Sequence, residues 1–327
     1  MKNIRIFTCV FIFVFAVLSQ SFSRNAIYRG EAYDINLSYN DTTFPGDIVF
    51  VRMRLTAAKN QKIAKNVKTV ATAIISDKKK KLSRTEFFSI GPAKKSHTTV
   101  ELFAGLPLSS WANPGTYSLT VTYTPFGAKA QEFTIPVTIN EKIFEKEEIP
   151  LSKKNTEIRT NTSPKKIAQI DKLNTIFDTK NEGGVHSLES FIYPVTSTRR
   201  TSGFADRRIY VYSTGGKSTT LHNGIDFGVT EGTEVVSCSS GKVMLAENRI
   251  STGWSIVIEH LPGFYSIYYH LSELSVKEGQ LVKKGEKIGL SGATGMVTGP
   301  HLHWEIRMNG MAVNPDQLVK DFSFEKK

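Results

Sequence analysis

Cysteine is almost missing from this chain. Of two in 327 residues, Cys9 sits inside an apolar run at residues 6–18 with no small-residue phrase ahead of it, which speaks against a lipoprotein site. Lys2 and Arg5 before that run, and Ser21-Phe22-Ser23 after it, have the layout of a secretion signal cleaved after Ser23. Thirteen apolar residues fall short of the roughly 20 that a membrane-spanning helix needs. No later stretch is apolar for long enough to span. With residues 1–23 removed, Cys238 is the single thiol, so no internal disulfide can form and stability must come from packed cores. Cys238 itself reads as a small buried residue.

Acidic residues are in the minority, and the formal net charge is +12. The imbalance is local. Residues 24–140 carry 16 Lys and Arg against 8 Asp and Glu, residues 141–185 carry 9 against 8, and residues 186–327 carry 15 against 14. The excess is densest at residues 78–81. A domain so charged is drawn to an anionic envelope polymer or lipid surface by screened, salt-sensitive forces. Nucleic acid is a poor partner for an exported chain.

The same basic region has no cluster of His, Asp or Cys. It has seven short runs rich in β-branched and aromatic residues: AYDINLSY, IVFVRMRL, TVATAIIS, RTEFFSI, TTVELFA, TYSLTVTY and QEFTIPVTI. Turn signals such as Pro45-Gly46 and Pro114-Gly115 separate them. This spacing predicts an immunoglobulin-like β-sandwich over residues 24–140, with Tyr117 placed as a tyrosine corner. Such a fold implies no activity by itself.

Histidine is scarce as well, and its placement is the most informative feature of the chain. Four of seven histidines fall in HNGID (222–226), YYHLS (268–272) and GPHLHWE (299–305). An HExxH helix is absent, so no glutamate of that kind can act as base. Glycine within and after HNGID argues for strand, and period two puts His222 and Asp226 on one face. The same period separates His301, His303, Glu305 and Arg307 from Leu302, Trp304, Ile306 and Met308. Imidazole and carboxylate suit zinc, which takes three protein ligands in a catalytic site and keeps one position open. Histidines two apart on a strand can share one small site, one on the metal and the other facing substrate. His97, His186 and His260 stand alone and read as solvated or hydrogen-bonded residues. Gly292, Gly295 and Gly299 predict a turn-rich loop at a cleft rim.

Residues from about 195 to 318 resemble the lysostaphin/LytM-type zinc metallopeptidases, which cut peptidoglycan peptides. The likeness runs through HNGIDFG, GTEVVS, GKV, YYHLS, EGQLVKKGEKIGLSG, TGPHLHWEI and VNP. The resemblance implies a mainly β chain whose C-terminal part, residues 186–327, is an antiparallel-β peptidase domain. It implies one zinc per chain on His222, Asp226 and His303, with His270 and His301 as catalytic histidines. None of the five is substituted. Histidine can accept a proton at neutral pH, and His270 and His301 are equal candidates for that role. Glu305 is expected behind His303, fixing its tautomer. SGFADRR (202–208) resembles the family's first groove-forming loop, which makes Arg207 and Arg208 candidates to contact a substrate carboxylate. The stretch at 276–288 predicts a hairpin.

Residues 141–185 mix charges, contain two prolines and few aromatics, and read as a charged linker without a core. A short helix is expected at 165–177. The linker is either inert or folds over the cleft and supplies a fourth ligand. The reading that follows is an exported zinc endopeptidase acting on peptidoglycan in the periplasm, at the cell envelope or outside the cell. Its rivals are an inactive envelope scaffold or hydrolase activator, recognisable by a missing ligand, and an adhesin working through the sandwich.

Overall fold

A computed structural model describes residues 24–59, 63, 68–77, 80–91 and 98–320; the expected signal at 1–23, His97, Lys78 and Lys79 lie outside the described residues. Half-buried alternation dominates the first part of the chain. Six of the seven predicted runs each form one strand, RTEFFSI is split between Lys81–Glu86 and Phe88–Ser89, and Arg24–Arg29 and Thr42–Thr43 join them. They assemble into two five-stranded sheets. In Ile48–Ala57, Val51, Met53 and Leu55 are fully buried, while Val70–Ser76 buries Ala71, Ala73 and Ile75. Tyr117 is buried on the strand Gly115–Thr124.

The chain divides into two compact units. The larger comprises Thr43–Ile48, Leu106–Thr116 and everything from Thr138 onward. Its main sheet has ten strands. Its central path runs Arg200–Ser202, Gly224–Phe227, Leu302–Met308, Phe264–Leu274, Gly253–Leu261 and Gly241–Arg249. All of these neighbours pair antiparallel. Leu302, Trp304, Ile306 and Met308 are buried on one face of the sheet, as the alternation requires. Among the described residues, no helix is long and apolar enough to cross a membrane.

The hairpin expected at 276–288 does not form. Leu281–Val282 pairs with Gly241–Arg249, whereas Lys287–Ser291 pairs with Glu234–Val236 and Phe264–Leu274. The turn between them is tight, with Glu286 N–H donating to Lys283 O. The partners it serves lie elsewhere in the sheet, and sequence spacing carries no information on them.

Residues 141–185 are more ordered than a linker. Lys146–Pro150 adds a parallel strand to Arg207–Val211. Helix α1 spans Lys153–Thr160 and is capped by Ser152, whose side chain accepts from Asn155 N–H. Helix α2 spans Pro164–Asp178, with Ser163 as cap and Pro164 at its first position. Leu173 and Phe177 of α2 pack with Leu245, Val257, Tyr265, Ile267 and Tyr269 of the sheet. Phe177 meets Tyr265 at 5.5 Å, and Tyr265 Oη donates to Ile176 O and Thr179 O. The segment holds too few apolar residues to build a core alone, but it completes one that the sheet supplies.

Phe177→Ala should therefore cost about 3–5 kcal/mol, the usual range for truncating a buried aromatic. Urea denaturation of the mature chain reads this directly. A loss below about 1 kcal/mol, the scale of a surface change, would show that α2 does not contribute to the core.

Candidate metal centre

The centre is built where two strands pair. Gly224–Phe227 lies antiparallel to Leu302–Met308 with Asp226 opposite His303 and Gly224 opposite Glu305. Gly224 is required here by space. A Cβ at that position would stand 2.3 Å from Trp304 O and 2.9 Å from His303 Nε2. His222 lies just before the strand, held by its own N–H on Asp206 O and by Ala205 N–H on its carbonyl.

Three donor atoms converge. His222 Nε2 is 3.1 Å from Asp226 Oδ1 and 3.0 Å from His303 Nδ1, and His303 Nδ1 is 2.9 Å from Asp226 Oδ1. Tetrahedral zinc with bonds of 2.0–2.1 Å spaces its ligand atoms by about 3.3 Å. The observed triangle is that face, drawn in by a few tenths of an ångström. The outer nitrogens fix the tautomers: His222 Nδ1 donates to Gly203 O at 2.6 Å, and His303 Nε2 to Glu305 Oε2 at 3.4 Å. The inner nitrogens then present lone pairs to the centre, and three electron-rich atoms around one point suit a cation. His222, Asp226 and His303 also form the one metal-ligating group found among the described residues.

Charge agrees with geometry. Burial works against ionising Asp226, yet the adjoining His222 and His303 imidazoles hold its carboxyl well below the usual range. Burial keeps the His222 imidazole down. His303 is opposed by burial too, but Asp226 and Glu305 on either side push it up to about 9. The pocket draws positive charge, as a proton or as a metal ion.

His270 and His301 stand beside this triangle. A bulge in Phe264–Leu274 puts His270 in the left-handed region, at φ 64°, and its N–H bonds Thr252 O. Its ring is 4.8 Å from that of His301 and 6.2 Å from that of His303. His270 Nδ1 donates to Thr294 O at 2.8 Å, and His301 Nδ1 to Gly299 O at 2.9 Å. In the neutral rings this tautomer puts the lone pair on Nε2. His301 Nε2 is 3.7 Å from Asp226 Oδ1. Burial, then the neighbouring His301 and His303, lowers His270 to about 3.

Other candidates are placed as follows. Glu305 is buried behind His303 and is itself held by Arg307 Nε. Arg207 and Arg208, expected at a substrate carboxylate, are engaged by the protein. Arg207 stacks at 3.7 Å on Trp111 and bonds Ser110, and Arg208 Nη2 bonds Asp226 Oδ2 at 2.7 Å. Oδ1 of Asp226 is thus left to the centre. His260 is fully buried and donates through Nδ1 to Ser240 O, and His186 faces Glu259 at 3.8 Å. Cys238 is buried, which pushes its thiol up to about 12. No described residue of 141–185 joins the donor triangle; Asn155 of α1 instead gives Nδ2 to Val297 O. Gly295 (φ 79°) and Gly292 serve close packing rather than a loose rim, since a Cβ on either would meet backbone atoms within 2.6 Å. The carbonyls of Gly203, Thr294 and Gly299 were not identifiable in the sequence, because every residue carries one. Tyr269, stacked on His303 at 5.3 Å, was the residue before His270 in YYHLS.

Residues 220–315 match the model of peptidase family M23, and the chain carries an M23 peptidase domain. It is similar to the peptidoglycan DD-endopeptidase ShyA of Vibrio cholerae serotype O1, with 43% identity over 123 residues, covering 37% of this chain and 28% of that protein. It is similar as well to the DD-carboxypeptidase/endopeptidase Mpg of Neisseria meningitidis serogroup B, 40% identical over 134 residues and covering 41% and 29% of the two chains. The chain thus spans under a third of the length of these curated relatives. In fold it resembles a Pseudomonas aeruginosa crystal structure described as peptidase M23, at a TM-score of 0.50 and 22% identity, covering 81% of this chain and 97% of that one.

Two outcomes are expected in solution. Purified chain should hold one zinc, and His222→Ala, Asp226→Ala and His303→Ala should each lose most of it, because three ligands leave no spare. Glu305→Gln should keep the metal but bind it roughly 10–100-fold more weakly, the scale for a partner of a ligand histidine. Metal analysis and competition with a chelator give both readings. Full occupancy in any ligand variant would remove that residue from the set.

Proposed function

We propose that this protein is an exported zinc endopeptidase that hydrolyses peptide bonds in peptidoglycan stems or cross-links. The observation that carries the reading is the donor triangle of His222, Asp226 and His303 with the imidazoles of His270 and His301 beside it. The names of the relatives, DD-endopeptidase and DD-carboxypeptidase/endopeptidase, support the substrate class. Zinc in such a site acts as a Lewis acid toward a carbonyl and lowers the pKa of water to about 7.

The chain's own residues divide the remaining work. His222, Asp226 and His303 would hold the metal, and Arg208 keeps the second carboxylate oxygen of Asp226 turned away from it. His270 and His301 enter the reaction as proton acceptors, since each has its Nδ1 hydrogen committed to a carbonyl. Whichever gains the proton becomes the donor to the leaving amine. The scaffold alternative was to be recognised by a missing ligand, and all five residues are in place. Export rests on the arrangement of residues 1–23. Attachment to an anionic polymer or lipid surface rests on the charge of residues 24–140.

His270→Ala and His301→Ala should retain zinc and lose wall hydrolysis by roughly 100-fold or more, the scale of a positioned acid or base. Mass spectrometry of digested wall together with metal analysis tests both halves of that statement. Near wild-type digestion by both variants would reject this division of labour.

A further inference from the structure

A substrate peptide with free carboxylates needs cations near the scissile bond, and Arg207 and Arg208 are already occupied. Unused positive charge lies on another wall. A cavity of about 530 Å³ opens between helices α1 and α2 and the loop around Thr294, within the range of small-ligand sites. Lys154 and Lys165 line it with Arg249, over an apolar floor that includes Ile158 and Ile250. No carboxylate lines it. Neither lysine makes an ion pair or side-chain hydrogen bond with the described residues, and both are exposed. Arg249 is 94% buried and already engaged, with Nη1 on Thr252 Oγ1, Nη2 on Gln169 O and Nε paired with Glu247 Oε1 at 4.0 Å, so the free cations are the two lysines. The cavity adjoins the chemistry: Thr294, which lines it, accepts the His270 Nδ1 proton through its carbonyl.

We propose that this cavity is a carboxylate subsite, in which Lys154 and Lys165 receive a free acid group of the substrate peptide next to the bond that is cut. The proposal rests on the endopeptidase reading and adds to it a selectivity for acidic over amidated stems. Both lysines come from residues 141–185, outside the matched peptidase segment at 220–315. The segment expected as a linker thus becomes part of the binding surface.

The test compares a linear tetrapeptide carrying two free carboxylates with its doubly amidated form. Binding to the full-length zinc-loaded chain is measured by calorimetry in the His301→Ala background, which stops turnover. The acid should bind roughly tenfold tighter, a difference of about 1.4 kcal/mol that charge-assisted hydrogen bonds readily supply. The preference should vanish in the Lys154→Gln/Lys165→Gln double variant and shrink as salt rises. Exposed, unpartnered lysines leave that variant free to fold. Equal affinity for acid and amide, or a preference that survives the double substitution, would overturn the proposal. Displacement by inorganic phosphate at the same concentration as the free acid would assign the cavity to phosphate anions and overturn it too. Hydrolysis of wall by the unsubstituted chain is read separately, so a failure of the endopeptidase reading is distinguishable from a failure of the subsite.

Discussion

The register between Gly224–Phe227 and Leu302–Met308 is the constraint on which the rest depends. It sets Asp226 opposite His303, so that their side chains project from the same face and meet at 2.9 Å. A slip of one residue in either strand would put the two side chains on opposite faces of the sheet. Gly224 fixes the close approach of the two strands, and the apolar partners of the alternation, with Trp304 and Phe227 both fully buried, anchor the register from behind. Packing on one face thereby positions the chemistry on the other.

Buried charge is balanced in the same local way. Asp226 and Glu305 flank His303, and each carboxylate has its own arginine, Arg208 and Arg307. Lone buried ions would be costly, and pairing within hydrogen-bonded geometry offsets that cost. The chain of contacts continues outward. Arg307 also lies 4.6 Å from the Phe177 ring of α2. A helix beyond the matched peptidase segment therefore touches the support of a ligand histidine, linking the stability of α2 to the order of the centre.

Much of this was legible in the residues. The alternation of His301, His303, Glu305 and Arg307 with four apolar residues specified a strand and both its faces, because period two has a single geometric meaning. HNGID specified the paired strand through its glycine and its His-to-Asp spacing. What stayed hidden depends on tertiary placement. The bulge that turns His270 inward has no composition of its own, and the carbonyls that set the tautomers belong to the backbone. Arg207 and Arg208 were visible as cations, but their partners Trp111 and Asp226 are distant in sequence. Leu173, Ile176 and Phe177 showed a helix, while the sheet face that receives them could not be inferred from that spacing.

The central claim is that three side chains hold one zinc and leave a position open. Anomalous diffraction at the zinc edge, on crystals of the mature chain, measures this most directly. The account predicts one peak about 2.0–2.2 Å from His222 Nε2, Asp226 Oδ1 and His303 Nδ1, with no fourth protein atom at that distance. A peak elsewhere, no peak at these three atoms, or a fourth protein ligand closing the site would contradict it.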